Sequence, residues 1–319
     1  MAKLQISYFG KLPARSDFVK ATADGMLAKL LDQWLADVMN QLSSNPRWRQ
    51  HYDARRPLHF AIIGTRNRAA IAGHLAASRD QSERRFPFLA MSAMCIDDAL
   101  PFLASSPLSL APLWELMAES TADAQSAHDP TASLHRLAVA ELEVDGSGAD
   151  TMRTLDNFLA HTTLAMLDAL LGAPGGTRRL ILALGLLLRP LRANPHVRLD
   201  RSLVLPLPPA QPERTLVAAF WLSLATTFLR DVDVELALFF CEREGRHALV
   251  AGFAGASAAT LQAVIDPEFA ESQQVALEDS EWVENELANS AGIERLAACL
   301  AQPQLSLDAA LQLFRETFC

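Results

Sequence analysis

LHFAIIG (Leu58–Gly64), TRNR (65–68), AAIAGHLAA (69–77) and, after the polar run at residues 80–85, PFLAMSAM (87–94) form the stretch that decides the fold. Each apolar run is short and is bounded by charged or turn-forming residues, which is the pattern of a strand. Upstream, Met26, Leu27, Leu30, Leu31, Trp34, Leu35, Val38, Met39 and Leu42 recur at three- and four-residue intervals, so they lie on one stripe of a helix that starts after Asp24 and stops before Pro46. A helix followed by successive short apolar runs predicts a layer of helix on sheet. Residues 3–9, rich in β-formers and stopped by Gly10 and Pro13, read as a further strand leaving into a turn.

Residues 101–171 read as mainly helical, with interruptions at 128–130 and at Asp145-Gly146-Ser147-Gly148. The second interruption is the better domain boundary and divides the chain into 1–145 and 146–319, the latter either a second α/β region or the completion of the same sheet. Beyond it the mixed pattern returns, with strands expected at 179–188, 202–207, 234–241 and 247–253, and helices at 213–229 and 257–265. Two more helices follow, at 281–301 and 307–317, separated by Pro303, with Ser306 placed to cap the last and Asp308 in its first turn. The expected class is α/β, a layered sheet-and-helix architecture of three-layer αβα type with a helical C-terminal extension.

A length of 319 residues, half of them hydrophobic, is ample for a substantial core. The formal net charge of −9 repels nucleic-acid backbones and anionic membrane surfaces, so no nucleic-acid partner is expected. Cys95, Cys241, Cys299 and Cys319 are far apart, without Cys-x-x-Cys or zinc spacing, and read as reduced thiols. No secretory signal or membrane-length apolar run is visible, so the expectation is a cytoplasmic protein without membrane insertion.

No catalytic constellation, metal site or cofactor site emerges. Gly252, Gly255 and Ser257 imitate a phosphate loop or nucleophile elbow, but the Lys-Ser/Thr ending is missing and Ala259 stands where the elbow needs Gly. Ser257 is more simply a helix N-cap. Asp231, Asp233 and Glu235 alternate, yet three spaced carboxylates supply too few ligands for a metal cage, and a solvated strand entrance explains them. The better candidates are cationic. Lys11, Arg15 and Asp17, with Arg84 and Arg85, lie on turns leaving strands, and Arg suits bidentate recognition of carboxylate or phosphate. The bland alternative is that Asp17 pairs with one of these arginines to fix the turn. Arg47, Trp48, Arg49, Arg55 and Arg56, with His51 and Tyr52, form a basic, aromatic-interleaved stretch, first a protein-binding patch and next a loop packed on the helix below. Trp34, Trp114, Trp221 and Trp282 fall on apolar stripes and belong to the core.

YFGKLPARSDFV (8–19) and SERRFPF (82–88) resemble the type VI secretion-associated TagF family, also called ImpM. The family's Gly-Lys-Leu-Pro-Ala-Arg-Gly-Asp-Phe turn corresponds to Gly10, Lys11, Leu12, Pro13, Ala14, Arg15, Asp17 and Phe18, with Ser16 in place of the usual Gly. Its Arg-x-Phe/Tyr-Pro stretch corresponds to Arg85, Phe86, Pro87 and Phe88. If the Ser16 position needs a positive φ, Ser adopts it less readily than Gly. Segments 203–208, 218–224, 235–240 and 249–267 resemble the family's longer members, whereas 120–175 matches none of its segments. The resemblance implies a layered α/β N-terminal part and a post-translational negative regulator of a type VI secretion system. Such a regulator is expected to bind the apparatus's forkhead-associated scaffold protein, in parallel with a kinase and phosphatase pathway. The competing expectations are an enzyme, a hydrolase or phosphoryl-handling protein using the Lys11, Arg15, Asp17 and Arg84 cluster, and, more weakly, a structural subunit.

Overall fold

The structure, a computed structural model, describes residues 2–22, 24–144, 149–194, 199–287 and 290–318. Its strands are β1 (Ala2–Gln5), β2 (Ser7–Gly10), β3 (Val19–Ala21), β4 (Leu58–Gly64), β5 (Ala69–Ala76), β6 (Phe88–Cys95), β7 (Glu141–Val144), β8 (Ser202–Leu207), β9 (Glu235–Arg243), β10 (Arg246–Gly252) and β11 (Gln274–Ala276). The helices are α1 (Gly25–Leu42), α2 (Trp48–Ala54), α3 (Ala99–Ser126), α4 (Thr131–Val139), α5 (Ala149–His161), α6 (Leu164–Leu171), α7 (Gly176–Ala193), α8 (Glu213–Ala225), α9 (Ala258–Ile265), α10 (Pro267–Gln273), α11 (Val283–Leu287), α12 (Ala291–Leu300) and α13 (Leu307–Phe318).

A nine-stranded sheet in the order β11-β8-β10-β9-β4-β5-β6-β2-β3 forms the middle layer. Every pairing in it is antiparallel except β11 with β8. The pairing of β4 with β9, from His59↔Phe240 to Gly64↔Glu235, makes the sheet continuous between the two halves of the chain. Residues 145–148, where the sequence suggests a boundary, lie outside the described residues.

The apolar strands are buried on both faces, and alternation sorts their side chains. Phe60 and Ile62 of β4 and Phe239 of β9 pack with Leu31, Trp34, Leu35 and Val38 of α1 and with Leu261 of α9. Ala61 and Ile63 of β4 and Leu238 and Phe240 of β9 face the opposite side, with Trp114 of α3 and Phe220 and Trp221 of α8. Helices on both faces give the layered α/β arrangement the sequence predicts, and α12 and α13 supply its helical C-terminal region.

Several local expectations change. Residues 3–9 are two strands, because the chain breaks at Ile6: β1 pairs with β7 in a separate two-stranded sheet and β2 enters the main one. The stripe of α1 is narrower than its periodicity suggests, since Met26 and Leu30 remain 77% and 63% exposed. Asp24 caps α1, its side chain accepting from the backbone N–H of Met26 and Leu27. Residues 179–188, expected as a strand, lie inside α7. That run is Leu-rich, and residues 180–188, with no polar side chain among them, show no amphipathic period to separate them from a buried strand. Residues 281–301 are two helices, α11 and α12, rather than one. Ser306 caps α13 as expected, its Oγ accepting from Ala309 N at 3.2 Å. Trp34, Trp114 and Trp221 are buried and Trp282 is partly buried against the core.

No single helix among the described residues is long and apolar enough to cross a membrane. The pair α6 and α7 has the apolar length but is bent by 96°. Much of α7 is buried in the core.

Candidate functional site

The two motif segments are neighbours because β2 pairs with β6, with Gly10 opposite Phe88. Gly10 takes φ 143°, and a Cβ on it would overlap the Pro87 carbonyl and Phe88 Cα. Only glycine combines that φ with so close a backbone approach. The chain then turns, with Arg15 N donating to Leu12 O at 3.0 Å, and the loop after β5 closes over the turn, with Gln81 N donating to Arg15 O at 3.0 Å.

Asp80 is the centre of this junction, and its side chain is fully buried. Its Oδ2 receives Lys11 Nζ at 3.0 Å and Arg84 Nε at 2.7 Å, while Oδ1 accepts from the backbone N–H of Ser82 at 2.9 Å and Arg84 at 3.0 Å. Burial pushes the carboxyl pKa up, but the bonds from Lys11, Arg84 and Ser82 outweigh it and hold the group well below the usual carboxylate range. Lys11, itself buried, also reaches Arg84 O at 3.4 Å and sits 5.1 Å from the centroid of the Phe18 ring. Such bonding offsets the desolvation that otherwise makes a buried ion pair costly. The next layer is neutral: Ser78 Oγ donates to Lys11 O at 2.7 Å, and the Tyr52 hydroxyl donates to Ser78 O at 3.0 Å and accepts from Ser78 N at 2.9 Å.

The structure thus unites Lys11, Arg84 and, through backbone, Arg15 around a residue the sequence reading passed over. Asp17 does not fix the turn by pairing with an arginine. It is exposed, and its Oδ1 accepts from Phe18 N at 2.8 Å. The signal for Asp80 is local: an Asp in a polar loop favours an Asx turn, in which its side chain accepts the backbone N–H two residues on, here that of Ser82. Arg15 reaches the other way, to Asp129 Oδ1 at 2.8 Å and Thr131 Oγ1 at 2.7 Å at the head of α4. Arg84 also donates to Ser16 O at 2.8 Å. Arg85 forms a bidentate pair with Asp53 of α2, at 2.8 and 2.5 Å, and this holds the Asp53 carboxyl below its ordinary range. Ser16 is not among the residues with positive φ, so its replacement of the family's Gly carries no backbone strain.

The basic stretch after α1 is helix α2 rather than a loop, and most of its cations have internal partners. Arg47 pairs with Glu268, and His51 Nδ1 lies 3.1 Å from the buried Asp266. Arg55 donates to Glu242 O and, at 2.8 Å, to Val264 O near the end of α9. Arg56 pairs with Glu242 at 3.1 Å. Trp48 is half-buried, with exposed Arg49 over its ring at 4.9 Å. Arg55 is therefore an internal tie and Arg49 an outward group.

What the turn presents to solvent is aromatic. Phe18 is 43% exposed, stacked on Phe9 at 5.1 Å and meeting the edge of Phe86 at 5.0 Å. Elsewhere, Ser257 stands at the head of α9 without a side-chain capping bond. No group of three or more potential metal ligands occurs among the described residues. Cys95, Cys241 and Cys299 are free thiols, and Cys319 lies outside the described residues.

The junction of β2 with the loop before β6 is what a known family model spans: the TagF N-terminal domain, described as type VI secretion system-associated, matches residues 7–141. Residues 7–141 are a TagF N-terminal domain. The match runs from β2 to the start of β7 and includes both motif segments, so the chain is a type VI secretion-associated protein through this domain. Strands β8 to β11, which complete the sheet, lie beyond it. No curated protein matches the chain. Among solved structures, the crystal structure of PA0076 from Pseudomonas aeruginosa PAO1 is similar at 23% identity and a TM-score of 0.36. The match covers 44% of this chain and 63% of that one.

Proposed function

We propose that this TagF-domain protein is a cytoplasmic negative regulator of a type VI secretion system, acting by binding the apparatus's forkhead-associated scaffold protein rather than by bond chemistry. The observation that carries this reading is the division of labour at the motif junction. Lys11, Arg84 and Arg85 are spent on internal acids, and what faces outward is an aromatic cluster headed by Phe18, beside exposed Asp17 and Lys20. Aromatic side chains rimmed by charge are the composition of an interaction surface. A repressor of this kind must bind one state of its scaffold more tightly than the other, since equal affinity shifts no equilibrium.

The test is co-purification of the tagged chain from cells expressing the secretion cluster, comparing wild type with Phe18→Ser and Arg49→Glu. Recovery of the forkhead-associated component with wild type, reduced by Phe18→Ser at unchanged thermal stability, is the expected result. Its absence from the wild-type eluate, in a lysate where it is abundant, would refute the reading. A loss confined to Arg49→Glu would move the contact surface to α2.

A further inference from the structure

A cleft of about 220 Å³ opens on the α3 side of the sheet, far in sequence from the TagF motifs. Its floor is one end of the sheet: His59 of β4, Leu207 of β8, Phe240 and Glu242 of β9, and His247 of β10. Trp114 of α3 and Arg214 in the first turn of α8 complete it. Strand register builds this grouping from residues that look scattered in sequence, with His59 opposite both His74 and Phe240, and His247 opposite both Leu207 and Glu242.

Two cations, Arg56 and Arg214, and two carboxylates, Glu115 and Glu242, line the cleft. Arg56 and Glu242 neutralise one another at 3.1 Å. Arg214 is half-buried, and its guanidinium donates only to the carbonyls of Pro208, at 3.2 Å, and Pro209 in the loop before α8. No carboxylate among the described residues forms an ion pair with it. A guanidinium has five N–H donors, so several remain for a ligand. Burial and then Arg214 push the His59 and His247 pKa values down, His59 to about 4, and burial lowers that of Arg214 as well. The imidazoles are therefore neutral near pH 7, and Arg214 is a cation in direct ion pair with no carboxylate: Glu242 acts on it only through space, and Glu115 is exposed.

His59 adds direction. Its Nδ1 lies 3.1 Å from Nδ1 of buried His74. With His74 donating, the His59 proton sits on Nε2, the other ring nitrogen. The ring is stacked on Trp114 at 5.4 Å, and Trp114 meets Phe240 at 4.7 Å.

We propose that this cleft binds a small apolar monocarboxylate, with Arg214 as its counter-ion, His59 as a neutral donor, and Trp114, Phe240 and Leu207 packing its hydrocarbon body. A single guanidinium outside any ion pair matches a monoanion, whereas a phosphate dianion would add a second charge beside Glu115 and Glu242 in a half-buried site. The apolar walls with a few convergent polar groups are those of a small-molecule pocket.

The experiment is isothermal titration and saturation-transfer NMR on the full chain with benzoate, benzamide and inorganic phosphate as probes. Benzoate is expected to saturate a single site, with benzamide at least tenfold weaker. Arg214→Gln is expected to weaken benzoate at least tenfold. Because Arg214 also ties the 208–209 loop, Ala111→Phe serves as an independent variant: it fills the cleft from α3, leaves Arg214 in place, and abolishes binding. Absence of saturable benzoate binding, benzoate affinity unchanged in Ala111→Phe, or phosphate binding as tightly as benzoate each overturns the proposal.

Discussion

Lys11 Nζ lies 3.0 Å from the carboxylate of Asp80, both side chains shut away from solvent. Breaking a buried pair from one side leaves the other charge stranded, which costs far more than the pair contributes over an apolar replacement. Lys11→Met is expected to cost about 3 kcal/mol, the lower end for a broken buried pair, because Arg84 stays on Asp80. Asp17→Asn, at an exposed carboxylate, is expected to change stability by less than about 0.5 kcal/mol. Urea unfolding of both variants checks this, and equal costs would show that the turn does not depend on Asp80.

Gly10 and Ser16 invert the emphasis the motif suggests. Gly10→Ala meets both an unfavourable φ and the Pro87 carbonyl, and is expected to cost more than about 2 kcal/mol, a strain term plus a steric one. Ser16→Gly restores the family's residue at a position without positive φ, and is expected to be neutral or destabilising by up to about 1 kcal/mol through unfolded-state entropy. Thermal melts of the two variants decide it, and a stabilising Ser16→Gly would place strain at that turn after all.

Strands β4, β5 and β6 were legible because polar loops bracket each apolar run and fix its length. The stripe of α1 was legible because one face is solvated, so the 3.6-residue period survives. Residues 179–188 failed for the converse reason: between Arg179 and Arg189 the run holds no polar residue to mark a period, and the polar positions of α7 lie at its two ends. At the motif junction the cations stood out as a class, but their partner did not, since Asp80 acquires its role from Lys11 only when β2 and β6 pair. The cleft histidines were invisible singly. Once the 65–68 loop joins β4 to β5, however, Ile63 opposite Ala70 dictates His59 opposite His74.

The helical state of α7 has its own test at Gly185, where a Cβ would overlap the rings of Phe314 and Phe318 of α13. In a strand, Gly185→Val would raise β-propensity and stabilise. Here it overpacks a helix–helix contact, and the expected cost is about 1–3 kcal/mol. A lowered urea midpoint with the helical circular-dichroism signal retained is the expected result, and a raised midpoint would contradict it.

The His59–His74 pair sets the acid limit of stability in a defined window. Burial and then neighbouring His59 hold His74 at about 3, and burial with Arg214 holds His59 at about 4, against 6.5 for a free imidazole. Below pH 6.5 the unfolded chain takes up protons that the folded chain refuses, so this contribution is complete above that pH and is lost as pH falls toward 4. Each refused proton contributes a slope of about 1.4 kcal/mol per pH unit. Asp80 acts lower: its folded pKa is depressed, so its contribution holds above the ordinary carboxylate range and is lost only in stronger acid. Unfolding free energies at pH 7.0, 5.5 and 4.5 for wild type and His74→Gln sample the histidine window and stay above that of Asp80. The variant is expected to be less stable at pH 7 but to lose less stability on acidification, since the proton refused by His74 drops out while those refused by His59 and His247 remain. Parallel pH profiles for the two proteins would show that the buried imidazoles are not what resists protonation.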